Sequence, residues 1–380
     1  MTEALHQFGA AGIEDGKPRD QDAARTALER WFAGVFPGGD PRVGGLSAPV
    51  GAGGSNETLL FHLDVTEHGV RHRRGLVLRV APGSYRLVLA LDFRAQFELL
   101  QVLHGTLGIR VPEPLWFETD AGMLGRPFFI MARVEGKVPV TVPLYNRAGF
   151  LFDATPAQRH RAWRSAVEEL ARIARAPVDG LAMLRGEDGA DGCDSDFAYC
   201  LESTRWALGD RPVPVLDAAL AWLTRHRPAT GIEGLSWGDA RFGNMIFGGD
   251  FALTGVLDWE MANLGGPVRD LGWWLFFDEI YSTAQGVARL DGLGSREETI
   301  ALWLSHTGII PRDLGWYELY AGFQVAVLVA RGCRLLGRQV PGQNESNNAY
   351  SRFIAERMGL PPPLDFADCS RTRKLGGETS

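Results

Sequence analysis

The apolar pattern of this chain shifts from a mainly strand-like to a mainly helical period partway along, and that shift limits the folds open to it. Through residues 46–134 apolar side chains mostly alternate, as half-buried strands require. From about residue 155 they recur at helical spacing. Leu59, Phe61, Leu63 and Val65 mark one strand, the polar segment TEHGVRHRRG reads as a turn, LVLRVA as a second strand and PFFIMARVEG as a third. One helix is inserted at residues 92–104, with Phe93, Phe97, Leu100 and Leu103 on one face. Another precedes the strands: Asp20 can cap it, Ala24, Leu28, Trp31, Phe32 and Val35 form its buried stripe, and Pro37, Gly38 and Gly39 end it. Thr155 followed by Pro156 opens a helix that runs to Pro177. Further helices are expected near 195–208, 213–226, 267–280, 295–307, 313–336 and 346–358, while 234–260 is strand-like again, turning at Gly248, Gly249 and Asp250. Strands gathered in one part and helices in another predict an α+β chain. The expected divisions are a disordered N-terminus at 1–19, a β-rich N-terminal lobe with its leading helix at 20–134, a mostly helical C-terminal lobe at 135–360, and a loosely ordered tail at 361–380.

A formal net charge of −7 offers no broad basic face, so nucleic acid is not an expected partner. The longest apolar stretch, residues 319–330, is interrupted by Gln324 and closed by Arg331; it is too short to span a bilayer, and no membrane partner is expected. The opening MTEALHQFGAAGIEDG lacks the basic start and apolar run of a signal peptide. Cys193, Cys200, Cys333 and Cys369 form no CxxC pair, so reduced thiols in a cytoplasmic protein are expected. The histidines show no zinc-ligand spacing, and neither a G-x-S-x-G elbow nor a GxxxxGK[ST] loop occurs. Trp273, Trp274 and Trp303 lie in helical runs and read as core.

The residues that could carry chemistry concentrate in WGDARFGN (237–244) and VLDWE (256–260). Asp239, Asp258 and Glu260 with Asn244 supply three carboxylates and an amide around one hairpin, and Arg241 adds a cation. Phosphoryl transfer needs such a set: a base for the attacking hydroxyl and oxygen ligands for a magnesium ion on the phosphates. The bland alternative is an acidic turn that only solvates a hairpin; a lone D-x4-N would be read that way. GAGGSNETLLF (51–61) places Gly51, Gly53 and Gly54, then Ser55 and Asn56, before a strand, either as a plain turn or as a loop whose N–H groups approach phosphate. Arg79 is a charge inside the apolar strand GLVLRVA, either snorkelling to water or meeting the α/β-phosphates of a nucleotide. Asp194, Asp196, Glu202, Asp278 and Glu279 lie in the helical part and read as solvated surface groups.

These segments resemble the H-G-D-x-x-x-x-N and D-x-E blocks of the aminoglycoside phosphotransferase and choline kinase superfamily, especially an actinobacterial branch reading WGDARxGN and VLDWEM. The resemblance covers roughly residues 45–340. It implies a protein-kinase-like bilobal fold and an ATP- and Mg²⁺-dependent transfer to a hydroxylated small molecule. It implies Asp239 as base, Arg241 facing the γ-phosphate, Asn244 and Asp258 as metal ligands, Glu260 near the metal, and Asp270 as a brace under the catalytic loop. It further implies that Gly53, Gly54, Ser55, Asn56 and Arg79 bind the phosphates and that the Ala132 and Val134 backbones bond adenine. Gln96 falls where the usual partner of Arg79 stands, with Glu98 the alternative. Trp237 departs from the commoner family pattern, since most relatives have histidine there, and is expected to fill space beneath the loop. A nucleotide-binding pseudokinase, or a kinase for a choline-like amine or hydroxyacyl compound, would share these blocks. The kinase-like domains joined to some acyl-CoA dehydrogenases resemble the chain in the same way.

Overall fold

Asp20 begins the first helix as its position in the sequence suggests, its carboxylate accepting from the N–H groups of Asp22 and Ala23 at 3.0 Å each. That helix, α1 (Gln21–Val35), buries Ala24, Leu28 and Phe32. The computed structural model describes residues 13–14, 17–49, 56–83, 87–89, 92–141, 143–185, 192–229, 231–336 and 346–363. The chain divides into two compact units, one reaching Gly136 and adding Thr254–Leu257, the other holding Lys137–Leu253 and the chain from Asp258 onward.

The first unit is an antiparallel sheet of β1 (Arg42–Val43), β2 (Glu57–Glu67), β3 (Val70–Val80), β4 (Pro114–Glu118) and β5 (Phe128–Ala132), in the order β1-β2-β3-β5-β4. Leu59, Phe61, Leu63 and Val65 of β2 point the same way and join Leu28 and Phe32 of α1 in one core. The polar segment read as a long turn is mostly strand. Only His68 and Gly69 turn, both with positive φ, and β2 and β3 pair from Glu57 opposite Val80 to Glu67 opposite Val70. Two successive left-handed residues suit a tight hairpin, and opposite charges facing across it compensate for the missing apolar side chains. Asp64, for one, takes Arg73 through two 2.9 Å bonds. The third strand is shorter than its apolar run, ending at Ala132. The inserted helix, α2 (Phe93–Gln101), passes into a wider turn at Val102–Thr106.

Residues 13–14 and 17–19, within the stretch expected to be disordered, are placed by the structure. Ile13 and Glu14 pair with Pro18 and Lys17, and Arg19 holds Glu57 at 2.8 Å with both side chains nearly buried. A carboxylate so deeply covered needs a cation, and Arg19, next to the Asp20 cap of α1, supplies it. Residues 1–12, 15 and 16, and the tail from 364, lie outside the described residues.

The second unit is helical: α3 (Pro156–Ala174), α4 (Gly192–Leu208), α5 (Pro214–Arg225), α6 (Pro267–Ile280), α7 (Arg296–Thr307), α8 (Leu314–Leu336) and α9 (Ala349–Met358). Thr155 with Gln158 and Ser295 with Glu298 form capping boxes that set two of the starts. The long helix α8 packs on α6, α4, α5 and α9, which explains the burial of most of residues 319–330. No described helix is long and apolar enough to cross a membrane. The strand-like segment keeps only β6 (Met245–Phe247) and β7 (Leu253–Val256), which form a two-stranded sheet.

Candidate functional site

The loop before β6 is held from below by one helix. Asp270 on α6 accepts from the Ser236 hydroxyl at 2.7 Å, the Trp237 N–H at 2.6 Å and the Gly238 N–H at 3.0 Å. Burial raises the Asp270 pKa, and Arg269 and these donors pull against that rise. Gly238 has φ +97°, and a Cβ there would overlap the Met261 carbonyl, so a side chain is excluded on two counts.

The braced loop presents Asp239. Arg241 Nε donates to both of its carboxylate oxygens at 3.0 Å. The short helical turn Phe242–Asn244 folds Asn244 back, so that its amide donates to Asp239 Oδ2 at 2.5 Å and to the Asp239 carbonyl at 3.1 Å. Trp273, one turn along α6 from Asp270, donates its indole N–H to Asp239 Oδ1 at 2.9 Å. Burial works against the Arg241 charge, but Asp239 and Asp258 outweigh it and raise the pKa, so the guanidinium stays charged.

Trp237 is fully buried beneath this loop, its indole N–H reaching the Asp258 carbonyl at 3.2 Å and its ring 6.0 Å from that of Trp259. Asp258 has φ +64°, a left-handed conformation rarely adopted by residues other than glycine. Trp237→Phe keeps an aromatic ring, removes that donor and leaves part of the indole volume empty. It is expected to cost about 1–3 kcal/mol in a thermal melt; an unchanged melting temperature would mean that packing alone holds the segment. Glu260 is half-buried and adds to the burial that lifts the Tyr199 pKa to about 12.

In the first unit, Gly53, Gly54 and Ser55 lie outside the described residues. Asn56 is buried, and its amide donates to Gln96 Oε1 at 3.4 Å. Gln96 is the buried member of the pair weighed beside Arg79, and Glu98 is half-exposed. Arg79 is half-buried on β3, opposite Thr58 and Phe129. The Ala132 N–H already donates to the Glu113 carbonyl at 2.8 Å, so that donor is spent, and Val134 follows the end of β5.

Two residues of this constellation escaped the sequence reading. Trp273 is core, as expected, but it also bonds Asp239. Arg269, also buried, donates to Ser236 Oγ at 3.2 Å and to the Gly238 carbonyl at 3.3 Å. Its counterion is Asp196 at 3.1 Å, which is therefore no surface group. The rule that singled out Arg79, a charge inside an apolar run, applies equally to Arg269 in VRDLGWW.

A model of the phosphotransferase enzyme family matches residues 48–304. The acyl-CoA dehydrogenase family member 11 of Rattus norvegicus is 25% identical over 285 residues, which are 72% of this chain and 35% of that protein. The chain thus spans about a third of the length of that curated relative. Among solved structures, a candidate aminoglycoside phosphotransferase from Ralstonia eutropha superposes with TM-score 0.61 at 22% identity, covering 87% of this chain and 96% of its own. A thermostable mutant of aminoglycoside phosphotransferase APH(4)-Ia, in ternary complex with ADP and hygromycin B, gives 0.53 at 17% identity, covering 87% and 98%. These likenesses show the protein-kinase-like α+β fold, a β-rich part followed by a mostly helical one.

Proposed function

The chain belongs to the phosphotransferase enzyme family, and from that premise we propose that it transfers the γ-phosphate of ATP to a hydroxyl of a small molecule with Asp239 as the base. The observation that carries this reading is the Asp239 carboxylate, held by Arg241, Asn244 and Trp273 on a loop that Asp270 braces. Asp239 orients the acceptor hydroxyl and takes its proton while the oxygen–phosphorus bond forms and the bond to the ADP oxygen breaks. Arg241 offers its charge to the transferred phosphate. Asn56 and Arg79, with Gly53, Gly54 and Ser55, bind the phosphates; Gln96 sets Asn56, and the backbone around Ala132 and Val134 receives the base.

The donor set fits magnesium. Asn244 commits its NH₂ group to Asp239, which leaves its carbonyl oxygen for a cation, and Asp258 adds a carboxylate; Mg²⁺ prefers oxygen ligands of this kind. When bound, the ion neutralises charge on the phosphates. Trp237 supports Asp258 from below, and Glu260 lies two residues further on.

The acceptor reads best as an uncharged or acyl-type hydroxyl compound. Of the carboxylates Asp194, Asp196, Glu202, Asp278 and Glu279, which a polycation could use, four are matched by arginines: Asp194 by Arg227, Asp196 by Arg269, Asp278 by Arg289 and Glu279 by Arg357. The kinship with an acyl-CoA dehydrogenase family member favours the same choice. Cys193, Cys200 and Cys333 form no disulfide among the described residues, which suits a cytoplasmic enzyme.

Calorimetric titration of ATP and GTP, with and without Mg²⁺, tests the nucleotide. Asp258→Ala is expected to weaken Mg²⁺-dependent ATP binding by about 10-fold, as loss of one ligand contact to a charged group should. No binding of either nucleotide by the wild type would end the kinase reading and the pseudokinase alternative together. A screen of hydroxylated amines, antibiotics and hydroxyacyl compounds for ATP consumption then identifies the acceptor. Turnover of aminoglycosides alone would overturn the acyl-type assignment, and binding without turnover of any acceptor would favour the pseudokinase.

A further inference from the structure

We propose that Trp273 is a positioning residue for Asp239, the donor that keeps the carboxylate plane fixed while Arg241 departs; this rests on the kinase reading above. An ionised carboxylate has about four lone-pair sites, and here all are engaged. Arg241 Nε straddles both oxygens at 3.0 Å, Trp273 Nε1 takes Oδ1 at 2.9 Å, and Asn244 Nδ2 takes Oδ2 at 2.5 Å. A base so saturated has no site for a hydroxyl, so one donor must leave before the proton can be accepted.

The surroundings decide which. Arg241 is the donor best placed to leave: its side chain is 22% exposed although its guanidinium lies over the Phe277 ring at 5.7 Å, its charge sits on a long flexible arm, and phosphate oxygens compete strongly for a guanidinium. Asn244 is closed into its short turn and bonds the Asp239 backbone as well. Trp273 is 1% exposed on α6, with Arg269 over its ring at 5.4 Å and the Phe277 ring 5.9 Å away. A rigid bicyclic ring in that packing has no room to turn. Oδ1 therefore stays on the indole, and the site that Arg241 vacates is offered in one direction.

Trp273→Phe removes the N–H and keeps an aromatic ring. With MgATP alone, water standing in for the acceptor, phosphate release is expected to fall about 10- to 100-fold, the scale of a misplaced catalytic group. ATP affinity by calorimetry should stay within about twofold. In an Asp239→Asn background the same substitution should add nothing, because the group it orients is gone. A merely structural role would lower affinity and rate together and add its loss in both backgrounds, and that result overturns the proposal, as does an unchanged rate. A second arm needs neither turnover nor a Trp273 variant. In ¹⁵N-tryptophan-labelled protein, Asp239→Asn should shift an indole N–H resonance strongly upfield; if all indole resonances stay in place, Trp273 does not bond the base. Wild type that binds no nucleotide sinks the kinase reading itself, and the positioning role with it, which separates that failure from the others.

Discussion

Asp239→Asn is expected to lower turnover by about 10²- to 10⁴-fold, the usual worth of a positioned general base, while ATP affinity stays close to that of the wild type. Two effects produce the loss. The amide cannot take the hydroxyl proton, and its NH₂ group would point at donors, since Arg241, Asn244 and Trp273 all present N–H groups to this side chain. Nucleotide affinity is spared because the substitution releases Arg241 from its carboxylate and leaves that charge for the phosphates. Steady-state turnover with the acceptor found by screening, beside ATP calorimetry, separates the two quantities. Turnover equal to wild type would remove Asp239 from the role of base, and a matching loss of ATP affinity would make it part of the nucleotide site.

Much of this arrangement was legible because it is local. The Asp20 and Thr155 caps, the alternation through β2 and the spacing within WGDARFGN are properties of neighbouring residues, and the fold expresses them directly. The helical turn at 242–244 is what brings Asn244 onto Asp239, five residues back. The β2–β3 hairpin was hidden for a physical reason: Arg71, His72 and Arg73 at the start of β3 are all exposed, so that half of the strand carries no apolar alternation, and facing charges such as Asp64 and Arg73 do the pairing. Trp273 and Asp196 were hidden differently. An indole in an apolar helix gives no sign that its one polar atom meets a carboxylate 34 residues back. A carboxylate near a helix start looks solvated until Arg269, 73 residues on, is seen to bury it.

Arg269→Met should cost about 3–5 kcal/mol, because it removes one partner of a buried ion pair and strands the other. Asp196 is 6% exposed, and without the guanidinium its Oδ2 keeps only the Tyr320 hydroxyl at 3.0 Å. Gln324, which accepts from Arg269 at 3.0 Å, loses its donor as well. Methionine replaces the arginine stem but none of its N–H groups, so the Gly238 carbonyl and Ser236 hydroxyl are also released beneath the loop that carries Asp239. In a unit of this size the melting temperature should fall on the order of 10 °C. Adding Asp196→Asn should recover part of the fall, since the stranded group is then neutral; burial of an uncompensated charge, not lost packing, is what the pair of variants isolates. A melting temperature within about 2 °C of wild type for Arg269→Met would show that the loop is held by Asp270 alone.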